Sequence, residues 1–228
     1  MVKVKEILKN LFLVGDADQG DSKSCHVYLL NLGELVLIDS GTGKNFQDIL
    51  DNVKALGFDP ADIKTVILTH CHVDHSAGAW RFKEQLGCRL IMHELDAEVL
   101  ESGDNRLSAG AWFRIPLQPT PIDLKLKGEL NRLEFGPHTL DCLHTPGHSP
   151  GSLSIYTDLE GKRVLFGQDI HAPIIRAYRS DETLWRQSMQ KLLALRADML
   201  CEGHLGIVEP AEKVAEFIEH YLLHQTVE

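Results

Sequence analysis

Four side chains able to bind a metal ion fall within six residues: His70, His72, Asp74 and His75. They stand in the run Thr-His-Cys-His-Val-Asp-His-Ser-Ala-Gly, residues 69–78, directly after the apolar Val66, Ile67 and Leu68. In an extended segment, residues i and i+2 point the same way. His70 and His72 can therefore grip one ion together. A turn into a helix at about His75 lets Asp74 and His75 aim at a second point nearby. Mixed imidazole and carboxylate donors suit Zn2+, Fe or Mn2+ rather than Ca2+. Read as a plain exposed loop, the same run clusters titratable groups with no counter-ion, which is costly.

Three more elements have the same form. Residues 144–152 read His-Thr-Pro-Gly-His-Ser-Pro-Gly-Ser, where two Pro-Gly pairs make a tight turn that fixes His148. Phe166-Gly-Gln-Asp169 closes an apolar run. Cys201-Glu-Gly-His204 follows Met199 and Leu200. Each puts a ligand-capable side chain at a strand end before a glycine or turn. Four such elements in one chain imply a shared site.

Other candidates carry less. His171 stands two residues after Asp169 and is expected to face the cleft. Tyr178 is a candidate donor to a substrate carbonyl or oxyanion, and Arg176 or Arg179 a candidate partner for an anionic substrate. His144 reads as structural and His93 as a rim residue. His26, His138, His220 and His224 read as ordinary surface or core residues, and Cys71, between two ligands, as packing.

The elements that must position these groups are legible as patterns. Short apolar runs predict strands at 11–14, 26–30, 34–38, 65–68, 89–92, 139–143, 152–156 and 163–166. Phe46, Ile49, Leu50 and Val53 mark one face of a helix over 43–56. Residues 76–86 and 94–101 are shorter helix candidates. Asp181 can cap a helix reaching about residue 195. Pro210 suits the first turn of a last helix, with Val214, Phe217, Ile218, Tyr221 and Leu222 on its apolar side. The order of elements implies two sheets with helices outside, in a single domain over 1–228. Residues 103–128, with three prolines, read as a long loop near the mouth of a site.

Composition narrows the partners. The chain has 228 residues and a net charge of −10, which disfavours nucleic acid as the main partner. No apolar run approaches the ~20 residues that span a bilayer, so no membrane role is expected. The apolar stretch after Lys5 is too short and interrupted for a signal-peptide core. Five cysteines without a C-x-x-C pair suggest reduced thiols and a cytoplasmic location.

The 69–78 motif resembles the T-H-x-H-x-D-H-x-x-G signature of the metallo-β-lactamase fold superfamily. Residues 144–148 resemble its second histidine motif. Asp169 and His204 match its bridging aspartate and last histidine, and Leu37-Ile-Asp-Ser-Gly41 resembles its early aspartate–glycine turn. The likeness runs over roughly residues 10–210. It implies a four-layer αβ/βα sandwich of two mixed sheets with helices outside and metals at one edge. His70, His72 and His148 would hold a first ion, Asp74, His75 and His204 a second, and Asp169 would bridge them. Asp39 would hold a ligand histidine by its other ring nitrogen, or cap the turn it stands in.

The resemblance implies a hydrolase that uses a metal-bound hydroxide, oriented by Asp74 as the catalytic carboxylate. The expected cofactors are two divalent ions, Zn2+ first, with Fe or Mn2+ as alternatives. The 144–152 motif looks most like glyoxalase II and its small relatives, which hydrolyse thioesters. The segment after Asp169 lacks their cysteine–glycine–arginine run, so the expected substrate is a small ester, thioester or lactone. The alternatives are an iron-dependent oxidoreductase like the persulfide dioxygenases and, further off, a small nuclease. His72 argues against the flavodiiron oxidoreductases, which carry glutamate there. A homodimer is compatible with all of these.

Overall fold

The computed structural model describes residues 4–15 and 23–225. A first sheet has seven strands in sequence order: β1 (Lys5–Leu8), β2 (Leu11–Gly15), β3 (Val27–Asn31), β4 (Leu35–Ile38), β5 (Ile63–Ile67), β6 (Arg89–His93) and β7 (Leu124–Leu126). The pairs from β1 to β4 are antiparallel and those from β4 to β7 parallel, so the sheet is mixed. The second sheet holds β8 (Leu130–Phe135), β9 (His138–His144), β10 (Leu153–Leu159), β11 (Lys162–Gln168), β12 (Met199–Glu202) and β13 (Ile207–Val208). It too is mixed, through the parallel pair β11–β12.

Helices α1 (Phe46–Ala55), α2 (Val73–Ser76), α3 (Ala79–Leu86), α4 (Glu94–Ser102) and α5 (Gly110–Phe113) belong to the first half. Helices α6 (Glu182–Leu195) and α7 (Ala211–His224) belong to the second. No helix among the described residues is long and apolar enough to cross a membrane.

The period of two along each strand builds the layers. On β3, Val27 and Leu29 face the helices, packing with Phe46, Ile49 and Val53 of α1 and Phe82 of α3. Tyr28 and Leu30 face the other way, onto Leu140, Ile155 and Phe166 of the second sheet. Beyond that sheet, Leu165 and Leu200 pack on Trp185, Met189 and Leu192 of α6 and on Val214 and Ile218 of α7. The result is helix, sheet, sheet, helix, as the motif resemblance implies.

Two predicted elements are revised. The helix expected at 76–86 is divided: α2 begins at Val73, and Ala77-Gly78 separates it from α3. The loop expected at 103–128 contains α5 and the edge strand β7. The helix predicted from Asp181 is present, with the Asp181 carboxylate accepting from the Leu184 amide at 2.9 Å.

Candidate metal centre

The first motif leaves the sheet at the end of β5. Asp39, at the end of the neighbouring β4, accepts from the Thr69 amide at 2.8 Å and from the Thr69 hydroxyl. Asp39 has a φ of 64°, a left-handed conformation that aspartate tolerates. His72 is extended and the chain turns helical at Val73, which separates the two pairs of donors. The Thr69 carbonyl accepts from the Leu153 amide of the second sheet at 2.8 Å. The motif is thus tied to both halves of the sandwich.

The second sheet supplies the rest. His148 sits in the turn between β9 and β10. Its carbonyl accepts from the Ser180 hydroxyl at 2.6 Å, and the Gly147 carbonyl accepts from the Asp181 amide at 2.8 Å. Gly147 has a φ of 142°, and a Cβ there would collide with Trp185, so the turn requires glycine. The start of α6 therefore clamps His148. The Trp185 indole donates to the Ile170 carbonyl at 3.3 Å, beside Asp169.

All seven predicted ligands converge, and six of them are buried. His70, His72 and His148 form one group, and Asp74, His75, Asp169 and His204 another. Within each group the donor atoms lie within 4.8 Å of one another. His72 Nδ1 is 3.1 Å from His70 Nε2 and 2.9 Å from His148 Nε2. His204 Nε2 is 3.2 Å from His75 Nε2 and 3.3 Å from Asp74 Oδ2. Asp169 faces both groups. Its Oδ1 is 2.9 Å from His75 Nε2 and 3.3 Å from His204 Nε2, while its Oδ2 is 3.6 Å from His148 Nε2.

The electrostatics divide along the same line. Burial holds the first group neutral, pulling His72 down to about 4, His148 down to about 3, and His70 well below its ordinary value. In the second group burial opposes charge, but the carboxylates outweigh it. Asp169 and Asp74 push His204 up to about 11, and Asp169 chiefly holds His75 well above its ordinary value. Asp169 is in turn held well below the usual carboxylate range by His75 and His204, against the effect of burial.

This donor set fits divalent cations. Three buried, neutral ring nitrogens crowd together, and one neutral imidazole offers only one N–H. Asp74 Oδ1, His72 Nε2 and His148 Nδ1 are buried without a hydrogen-bond partner. Imidazole nitrogens and carboxylates are the ligands Zn2+ and its first-row neighbours take.

The remaining candidates fall at different places. Asp39 Oδ2 lies 2.8 Å from His75 Nδ1, and the same carboxylate accepts from the Thr69 amide at 2.8 Å. His171 Nδ1 is 2.5 Å from Glu202 Oε1, and its ring centroid is 5.7 Å from that of His204. The Tyr178 ring stands edge-on to His72 at 5.6 Å. Arg176 is exposed in the same turn, and among the described residues none of the seven ligands bonds it. His93 is buried rather than on a rim, stacked on His144 at 4.0 Å. Cys71 is buried as expected.

Two carboxylates escaped the sequence reading. Glu202 is fully buried and accepts from His171 and from the amides of His204 and Leu205. Asp96 is fully buried between the two histidine loops. The available signal was position: Glu202 lies two residues before a ligand, and Asp96 opens a helix at a strand end.

Known proteins share this arrangement of chain. The chain is 30% identical over 136 residues to the probable metallo-hydrolase MJ0888 of Methanocaldococcus jannaschii, covering 60% of this chain and 64% of that protein. It is 31% identical over 122 residues to the N-acyl homoserine lactonase AttM of Rhizobium radiobacter, covering 52% of this chain and 45% of the lactonase. The chain thus spans less than two thirds of the length of either relative. The match to the probable metallo-hydrolase YqgX of Bacillus subtilis is longer, at 30% identity over 184 residues, 78% of this chain and 82% of that one. Among solved structures, a HARLDQ-motif mutant of the metallo-beta-lactamase from Cronobacter sakazakii superposes with a TM-score of 0.77 at 28% identity, covering 90% of this chain and 81% of that chain. The model of the metallo-beta-lactamase superfamily matches residues 20–204, which include every residue of both donor groups, and the chain belongs to that superfamily.

Proposed function

We propose that the chain is a metal-dependent hydrolase that holds two divalent ions and cleaves a small ester, thioester or lactone. The observation that carries this reading is Asp169, whose two oxygens face two separate groups of nitrogen and oxygen donors. His70, His72 and His148 would hold one ion, Asp74, His75 and His204 the other, and Asp169 would touch both. When bound, such ions supply Lewis acidity and bring the pKa of coordinated water toward ~7.

The protein's own residues would do the rest. Asp74 keeps one oxygen free of hydrogen bonds, which suits it to hold a reacting water and to carry its proton toward a leaving group. Tyr178, beside His72, would donate its hydroxyl to the substrate carbonyl. His171, fixed through Nδ1 by the buried Glu202, would contact substrate through its other nitrogen. Arg176, exposed in the turn that carries Tyr178, would meet an anionic group on the substrate.

Zn2+ is the expected ion, with Fe or Mn2+ as alternatives, because three imidazoles in one group and imidazoles with carboxylates in the other are donors it takes. Lactones come first in the substrate series, since one relative is named as an N-acyl homoserine lactonase. Five buried free thiols support a reducing, cytoplasmic setting. The whole chain is read as one domain of this type.

The test is elemental analysis of protein purified without chelator, followed by lactone, ester and thioester panels. About two zinc or manganese per chain with turnover of one class supports the proposal. About one iron per chain with persulfide-dependent oxygen uptake would replace it with the oxidoreductase reading.

A further inference from the structure

Asp96 lies in the first turn of α4 and is 0% exposed. Burying an ionised carboxylate is costly unless its oxygens are hydrogen-bonded. Asp96 meets that condition with three donors. Its Oδ2 accepts from the Cys71 amide at 2.9 Å and from the Ser149 hydroxyl at 2.6 Å. Its Oδ1 accepts from the Gly151 amide at 2.6 Å.

These donors come from two loops far apart in sequence. Cys71 stands between His70 and His72, and Ser149 follows His148. One oxygen therefore accepts a hydrogen bond from each loop, at a position adjacent to a histidine of the first group. The approach is close enough to dictate a neighbour: a Cβ on Gly151 would lie 2.7 Å from the Asp96 carboxyl carbon. Its three hydrogen bonds go to backbone amides and the Ser149 hydroxyl, not to the histidine rings. It acts through the backbone that carries them.

We propose that Asp96 is a positioning residue for the first ion. Its carboxylate holds the 70–72 loop and the 148–151 turn at the spacing that lets His70, His72 and His148 share one divalent cation. The proposal rests on the two-ion reading above. It goes further in assigning Asp96 to one of the two groups: the second group is anchored elsewhere, by Asp39 on His75 and by Glu202 under His204.

Asparagine has the shape of aspartate but only one acceptor oxygen. Whichever way it sits in Asp96→Asn, at least one of the three donors faces an amide N–H instead. The probe is Zn2+, titrated into the 228-residue chain against a chromophoric chelator. His204→Ala leaves the first group as the more complete site, and His148→Ala leaves the second. Adding Asp96→Asn should weaken Zn2+ by about 10- to 100-fold in the His204→Ala background. In the His148→Ala background the expected change is under about threefold, within the scatter for sites without shared partners.

Equal weakening in both backgrounds, or none in the first, overturns the proposal. If Asp96→Asn does not fold by circular dichroism, Ser149→Ala decides by the same criterion, since it removes one of the three bonds. Wild-type protein that takes up no Zn2+ would remove this proposal together with the two-ion reading. Two ions in the wild type with no selective effect of Asp96 would remove this one alone.

Discussion

His75 Nδ1 lies 2.8 Å from Asp39 Oδ2, with both side chains buried. That bond leaves His75 Nε2 to face Asp169. Asp39 also accepts from the Thr69 amide and hydroxyl, so one carboxylate orients His75 and fixes the loop that bears it. Partners of this kind are worth about 10- to 100-fold in metal affinity or activity. Asp39→Asn should lower Zn2+ affinity by that factor while the circular dichroism spectrum is kept. Unchanged affinity would show that Asp39 serves the turn alone.

His72→Ala and Asp74→Ala bear on the hydrolase reading directly. The first removes the nitrogen at the middle of the first group, the second a carboxylate of the other. Each should abolish measurable turnover and reduce bound zinc, with secondary structure retained. Chelation of the wild type should do the same, and added Zn2+ should restore activity. Full turnover in both variants would sink the mechanism.

Tyr178→Phe keeps the ring beside His72 and removes the hydroxyl. If that hydroxyl stabilises developing negative charge, kcat should fall by about 100-fold, the scale of losing one such donor. KM and melting temperature should move little. A change confined to KM would make Tyr178 a binding contact instead.

The metal-free protein should be most stable near pH 6.5. Burial and neighbouring rings hold His72 to about 4 and His148 to about 3, against ~6.5 in an unfolded chain. Between those values the unfolded state binds more protons, so stability falls as pH falls below ~6.5. His204 has the opposite sign. Burial opposes its charge, but Asp169 and Asp74 push it up to about 11. Above ~6.5 the folded state holds the extra proton, so stability falls as pH rises toward that value. Thermal melts of chelator-treated protein at about pH 5, 6.5 and 8.5 should show a maximum in the middle. A melting temperature that climbs steadily with pH would contradict this balance.

Much of the candidate site was legible because its donors follow strand ends in short runs, where short-range patterns reach. His148 is an example: the two Pro-Gly pairs around it announce the turn that fixes it. Asp96 was not legible, because a charged residue early in a helix reads as solvated, and its partners Ser149 and Gly151 lie 53 and 55 residues away. Edge strands were missed for a related reason. Leu124–Leu126 has three residues and is a strand only because β6 pairs with it. The break between α2 and α3 was missed because Ala77 and Gly78 stay helical in φ and ψ, while Gly78 packs against the Ser40 carbonyl.

Each donor group draws on both sheets. His70, His72, Asp74 and His75 follow β5 of the first, while His148, Asp169 and His204 follow β9, β11 and β12 of the second. Ions bound there would act as rivets across the seam of the sandwich. The halves could then part only by giving up metal, so binding free energy would add to the stability of both together.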